Sequence, residues 1–237
     1  MAISKASATA FIIAALGVSA CGSLPTYRQD TNTIPAAEAA QQEANREVKS
    51  RALYIQLVGK MQERGKHRAA IAFVDEYEQS YSSDEMSRYL RGASLVALKE
   101  FSEAEAILTP LTTSPLAHAA YNELGKMWAS KGDWTRAASH FELAREKAPT
   151  KVSYLNNLGY AELNTGRYAQ AEQVLLQALE LDEDNRSVRN NLILAKFLQG
   201  KKSEARTILL SLEGDERERV IALLKQWNDT VLVGSPE

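Results

Sequence analysis

The sequence predicts an all-α fold, a solenoid of about five helix–turn–helix repeats closed by a C-terminal capping helix. Three observations predict it. Residue types recur at an offset of 34: Gly132-Asp133-Trp134 aligns with Gly166-Arg167-Tyr168, and Leu124-Gly125 with Leu158-Gly159. The 6 prolines leave two long stretches free, Pro35 to Pro110 and Pro149 to Pro236. Such stretches suit helices, because an interior proline removes a hydrogen bond and clashes with the preceding turn. Ala and Leu together supply about a quarter of the chain, which favours helix.

Composition bounds the function. With 45% hydrophobic and 24% charged residues over 237 positions, the chain is globular in character. A formal charge of −2 argues against a protein held to nucleic acid mainly by electrostatics. A single cysteine excludes an intramolecular disulfide and a Cys-rich metal site.

Taken in chain order, residues 1–20 read as a secretory leader. Lys5 supplies the positive start, Ala6 to Ala20 carry no charge, and Ala10 to Leu16 form the apolar centre. That run is too short to span a bilayer and suits a signal segment. It ends in Val18-Ser19-Ala20-Cys21, which resembles a bacterial lipobox with its peptidase site between Ala20 and Cys21. The resemblance implies lipidation of Cys21, the only thiol in the chain. Two or more acyl chains give stable anchoring where one would be marginal. Gly22 stands where an aspartate favours the inner membrane in such lipoproteins, so the resemblance implies the outer membrane, facing the periplasm. Residues 21–48 read as a lipidated N-terminus and tether. Pro25, Pro35 and scattered Ser and Thr break any period there, while Ala36 to Arg46 is rich in Ala, Gln and Glu and is compatible with nascent helix.

The repeat body is expected over 49–228. Three copies are assigned to His118–Lys151, Val152–Asn185 and Arg186–Glu213, the last shortened. Ala137, Ala171 and Ala205 align, as do Phe141, Leu175 and Leu209. Gly92, Leu95, Phe101, Ala104 and Leu108 mark another over about Glu85–Ser114. Leu57, Gly65, Ala70 and Val74 mark a fifth over about Arg51–Ser83. Gly125 and Gly159 are expected where two helices approach closely. Gly132, Gly166 and Gly200 are expected to end the first helix of each pair. Asp215 to Trp227 reads as an amphipathic capping helix, with Val220, Leu223, Leu224 and Trp227 on one face, covering the flank a stacked array would expose. Residues 229–237 read as a frayed tail. This pattern resembles the tetratricopeptide repeat, a 34-residue helix–turn–helix with small residues at its eighth, twentieth and twenty-seventh positions. The resemblance implies a solenoid whose first helices line a concave groove that binds peptides or helices.

Asn122, Asn156 and Asn190 recur at the fifth repeat position, with Asn157 and Asn191 following at the sixth. An asparagine both donates and accepts, so a ladder of them suits the backbone of an extended peptide. The competing reading is that they cap helices or bond between adjacent repeats. Lys126, Tyr160, Leu194 and Phe197 are expected around them in the groove. The carboxylate-clamp type of this repeat requires two lysines and an arginine where this chain has Asn122, Ala119, Ser187 and Asn191, so capture of a free acidic C-terminus is not implied.

No catalytic pattern is present. The sequence has no HExxH, Walker A or GxSxG segment, and His67, His118 and His140 fall on separate predicted helices. No enzyme activity, cofactor, metal or small-molecule substrate is expected. The Asn-Asn-Leu doublets at Asn156-Asn157-Leu158 and Asn190-Asn191-Leu192, each followed by a Gly-led turn, complete a lipobox–tether–repeat layout. The layout resembles the TadD-like tetratricopeptide-repeat lipoproteins of tight-adherence (Flp) pilus assembly. That resemblance implies a pilotin-like assembly factor whose partner is an outer-membrane secretin subunit or another pilus-assembly protein. A type IV pilus pilotin and a scaffold for periplasmic peptidoglycan or outer-membrane assembly enzymes are the alternatives.

Overall fold

A computed structural model describes residues 36–234. The leader, the lipidation site at Ala20-Cys21 and the first part of the tether lie outside the described residues. The chain divides into two units, Met1–Glu43 and Ala44–Glu237; the second contains the repeat array.

Among the described residues there are eleven α-helices and no strand. Helices α1 (Ala36–Glu63) and α2 (His67–Tyr81) form the first repeat; α3 (Glu85–Ala97) and α4 (Phe101–Leu108) form the second. A 3-10 turn, Thr109–Thr113, follows α4 and contains Pro110. The next pairs are α5 (Ala117–Ser130) with α6 (Trp134–Lys147), α7 (Val152–Asn164) with α8 (Tyr168–Leu181), and α9 (Arg186–Leu198) with α10 (Lys202–Ser211). The cap is α11 (Gly214–Gly234). Two expected boundaries move. Helix α1 already begins at Ala36, so the expected tether is helical over 36–48, where Ala, Gln and Glu are good helix formers. The cap continues to Gly234 through the segment expected as tail, since neither glycine nor proline interrupts residues 215–233.

The aligned glycines have two separate causes. Gly65, Gly132, Gly166 and Gly200 stand between the helices of a pair with φ from +69° to +79°, a left-handed turn that glycine adopts without strain. Lys99 takes that place in the second repeat at φ +64°. Gly92, Gly125 and Gly159 are instead sites of close approach. A Cβ there would lie 2.6 Å from Leu108, 2.5 Å from the Phe141 ring and 2.6 Å from Leu175. Asp133 accepts from the Arg136 N–H at 2.9 Å and Asn185 from the Val188 N–H at 3.2 Å, capping α6 and α9.

The core runs through the stack as linked clusters. Leu95, Leu108, Leu111 and Met127 form one; Phe141, Leu158 and Ala161 the next; Leu155, Leu175, Leu192 and Leu194 a third. Trp128 bridges the first two from a half-buried position. Buried Val220, with Leu223, Leu224 and Trp227, seals the last repeat as the capping reading expects. The outer seam between repeats four and five is polar. Glu172 on α8 accepts from Lys196 Nζ at 2.6 Å, Lys201 Nζ at 2.6 Å and Gln199 Nε2 at 2.7 Å, and Lys196 also reaches Glu204 at 2.7 Å.

Candidate functional site

The first helix of each repeat touches the first helix of the next: α3 meets α5, α5 meets α7, and α7 meets α9. These helices carry the residues expected in the groove. The asparagines bond to one another across that seam. Asn157 Nδ2 donates to Asn122 Oδ1 at 2.8 Å, and Asn191 Nδ2 donates to Asn156 Oδ1 at 3.0 Å. Each bond joins the sixth position of one repeat to the fifth of the repeat before it. The reading in which they bond between repeats therefore describes Asn122, Asn156, Asn157 and Asn191. Asn190 Oδ1, at the last rung, is buried without a partner among the described residues.

The other expected groove residues separate. Leu194 is fully buried in the core and cannot line a groove. Phe197 is half-buried and packs against the cluster of Ile193, Ala205 and Leu212 in the last repeat. Tyr160 is half-buried, with the rings of Trp134 and Trp227 edge-on at 5.5 Å and 6.4 Å. The cap thus contributes its own aromatic side chain at the C-terminal groove position. Lys126 is exposed and pairs at 2.5 Å with Glu123, whose carboxylate is buried and also faces Asn122 Nδ2 at 3.4 Å.

Replacing Asn157 by alanine should therefore lower stability rather than ligand affinity. It would leave the carbonyl of Asn122, a residue only 7% exposed, without its donor. The cost is about 1–2 kcal/mol, read as a melting midpoint lower by about 2–8 °C.

Sequence reasoning missed a hollow of about 410 Å³ at the N-terminal half of the array. Its floor is Tyr89, Ala93, Val96 and Ala97 of α3. One wall is Gln62 and His67; the other is Glu123, Lys126 and Ser130 of α5, with Lys99 at the rim. Ala93 stands 33 residues before Lys126, and Tyr89 stands 33 before Asn122. Those offsets mark them as groove positions, although the second repeat matches the others loosely. Gln62 Nε2 donates to Leu90 O at 2.7 Å and Ser94 Oγ at 2.8 Å, fixing that wall. Burial, with the nearby Glu123 carboxylate, pushes the Tyr89 phenol well above its usual range, so it stays neutral. His67 Nδ1 is buried with no partner among the described residues. His118 Nδ1 lies 2.9 Å from Tyr154 Oη, which ties the first helices of repeats three and four together.

The register of turn glycines, the close-approach glycines and the paired helices define a tetratricopeptide-repeat solenoid. Family comparisons agree: tetratricopeptide-repeat models match residues 89–151 and 152–185. A TPR repeat-containing protein of Pseudomonas aeruginosa, PA4299, is 30% identical over 99 residues, which are 42% of this chain and 40% of that protein. The BBSome complex member BBS4 of Bos taurus is 30% identical over 121 residues, 51% of this chain and 23% of that one. The chain thus matches less than half the length of either relative. Among solved structures, a TPR protein of Thermus thermophilus superposes with a TM-score of 0.59 at 19% identity, covering 73% of this chain and 98% of that one. The pilF protein of Pseudomonas aeruginosa gives 0.61 at 18% identity, covering 76% and 86%. At these identities the structures share the fold. Arrays of this fold act as protein-interaction scaffolds.

Proposed function

We propose that this chain is a lipid-anchored assembly factor of the pilotin kind, working in the outer membrane for the secretin of a tight-adherence (Flp) pilus machine. The observation that carries the proposal is the union, in one chain, of a lipobox ending at Cys21 with an array whose groove retains an unfilled hollow. The acyl anchor holds the array at the periplasmic face of the outer membrane. The groove holds an exposed segment of an unassembled secretin subunit. Confinement to the membrane surface raises the local concentration of subunits and favours their joining, with no new contact required. No part of this scheme needs catalysis.

The test is the secretin itself. Deleting the protein should abolish detergent-resistant secretin multimers in the outer membrane and surface pili. A Cys21→Ser variant should leave the soluble array folded, move it out of the outer-membrane fraction, and reduce multimers as deletion does. Unchanged multimers and pili in the deletion strain would overturn the proposal. A type IV pilus pilotin is the second reading, favoured by the likeness to pilF over most of both chains. The secretin that co-isolates with the protein separates the two.

A further inference from the structure

We infer that the hollow between α1, α3 and α5 takes one large apolar side chain from an extended acidic segment of a partner protein, whose carboxylates lie against Lys99 and the α1–α2 turn. The inference rests on the proposed function only in requiring that the array bind a partner segment.

The two ends of the groove differ. At its C-terminal end Tyr160 stands between Trp134 and Trp227, so the chain's own aromatics fill the space. In the middle the asparagines use their amides on one another. At the N-terminal end the equivalent of Tyr160 is Ala93, and Ala97 lies one turn on, so short side chains leave about 410 Å³ open. That volume lies within the range of sites that enclose an organic group. Its floor is apolar (Ala93, Val96 and Ala97), with the neutral Tyr89 beside them. An aliphatic or aromatic side chain fits this floor, whereas a charged one would lose its hydration there.

The rim selects the neighbours of that side chain. Arg64, Lys66 and Arg68 surround His67 in the chain, and all three are exposed, as is Lys99. None of these four forms an ion pair among the described residues. Lys126 adds a fifth cation, held by the buried Glu123. The carboxylates adjacent in sequence are Glu63 and Glu100, and among the lining residues Glu123 is the one carboxylate beside Lys99 and Lys126, already serving Lys126. Cations therefore outnumber carboxylates along the lining and in the α1–α2 turn, although the whole chain carries −2. A partner segment with Asp or Glu beside its apolar anchor complements that rim, and a basic segment is repelled.

The experiment uses the folded chain and a random dodecapeptide library displayed on phage. Peptides are selected on the wild-type protein and on an Ala93→Trp variant, whose indole covers the apolar floor of the hollow. Equal melting curves establish that the variant folds. A second variant, Lys99→Glu with Arg68→Glu, changes only exposed rim residues. Enriched peptides should place Phe, Leu, Ile, Met or Trp within two positions of Asp or Glu, and A93W should enrich none of them. A fluorescent peptide of the enriched sequence should bind at least about tenfold more weakly to A93W, about 1.4 kcal/mol, and several-fold more weakly to the rim variant. Enrichment of basic or purely polar peptides, equal binding to A93W, or no enrichment at all would overturn the inference. The proposed function is judged separately. Peptides behaving as expected while A93W cells still assemble secretin multimers would leave the hollow established and remove the secretin as its occupant.

Discussion

Replacing Glu172 by alanine should lower the melting midpoint by about 6–12 °C, the equivalent of about 3 kcal/mol. Glu172 is 8% exposed and sits between Lys196, Lys201 and Gln199. Burial by itself would push its carboxyl up. The hydrogen bonds from Lys196, Lys201 and Gln199, with the Lys196 charge, outweigh burial and hold the pKa down at about 2. Without Glu172, Lys196 remains nearly buried and keeps only Glu204, which is itself half-exposed. The sign of the pH dependence follows. A carboxylate whose pKa is lower in the folded state than in the unfolded chain, where it is about 4.3, stabilises the fold above the unfolded value. That stability is lost as pH falls from about 5 towards 2. The wild type should therefore lose several degrees more than Glu172→Ala between pH 6 and pH 3. Glu172→Gln, which keeps the shape but not the charge, should already show the flatter acid profile at neutral-pH stability between the other two. Equal acid sensitivity in wild type and E172A would refute this account of the seam.

That seam was not legible in the sequence. Glu172 and Lys196 are 24 residues apart, a spacing that belongs to no repeat period, and charges on helices are ordinarily solvated. The repeats themselves were legible because close packing leaves residues no freedom. Gly125 must face Phe141, and Gly159 must face Leu175, in every copy that keeps the same approach. The second repeat is legible from Gly92, Ala104 and Leu108, although its left-handed turn uses Lys99 instead of glycine, while the first, marked by Gly65, Ala70 and Val74 from about Arg51, has a first helix that begins at Ala36. The onset of α1 was blurred because Ala, Gln and Glu suit both a tether and a helix.

The groove was harder to read, for two reasons. Asn122, Asn156 and Asn190 are identities at an offset of 34, yet the bonds join residues 35 apart, Asn122 to Asn157 and Asn156 to Asn191. The signal was the doublet, not the ladder: a fifth-position acceptor meets the sixth-position donor of the following repeat. The hollow had no signal of its own. Periodicity marks positions that side chains fill, and the hollow arises where Ala93 and Ala97 leave space open. Leu194 shares register with Lys126 and Tyr160 but lies in the core, and Phe197 shares register with Leu163, itself a core residue, so shared register with a groove position does not by itself place a side chain in the groove.

The same glycine register yields a prediction of opposite signs. Gly59, Gly92, Gly125 and Gly159 occupy equivalent places at spacings of 33, 33 and 34. A Cβ at Gly125 would meet the Phe141 ring at 2.5 Å, whereas a Cβ at Gly59 would find nothing within 4 Å. Alanine improves helix propensity at either site by about 1 kcal/mol. At Gly59 that gain is unopposed, so Gly59→Ala should raise the melting midpoint by about 2–4 °C. At Gly125 the ring cannot move aside without displacing Leu158 and Ala161, which pack with it. Overpacking of this kind costs about 1–3 kcal/mol and more for a larger group, so Gly125→Ala should lower the midpoint or leave it unchanged. Gly125→Leu should lower it by about 6 °C or more, or prevent folding of the central repeats. The two alanine variants together make the test independent of any failure to fold. If Gly59→Ala and Gly125→Ala stabilise equally, glycine at this register serves backbone freedom alone. If they part in sign, helix approach is what fixes glycine in the central repeats.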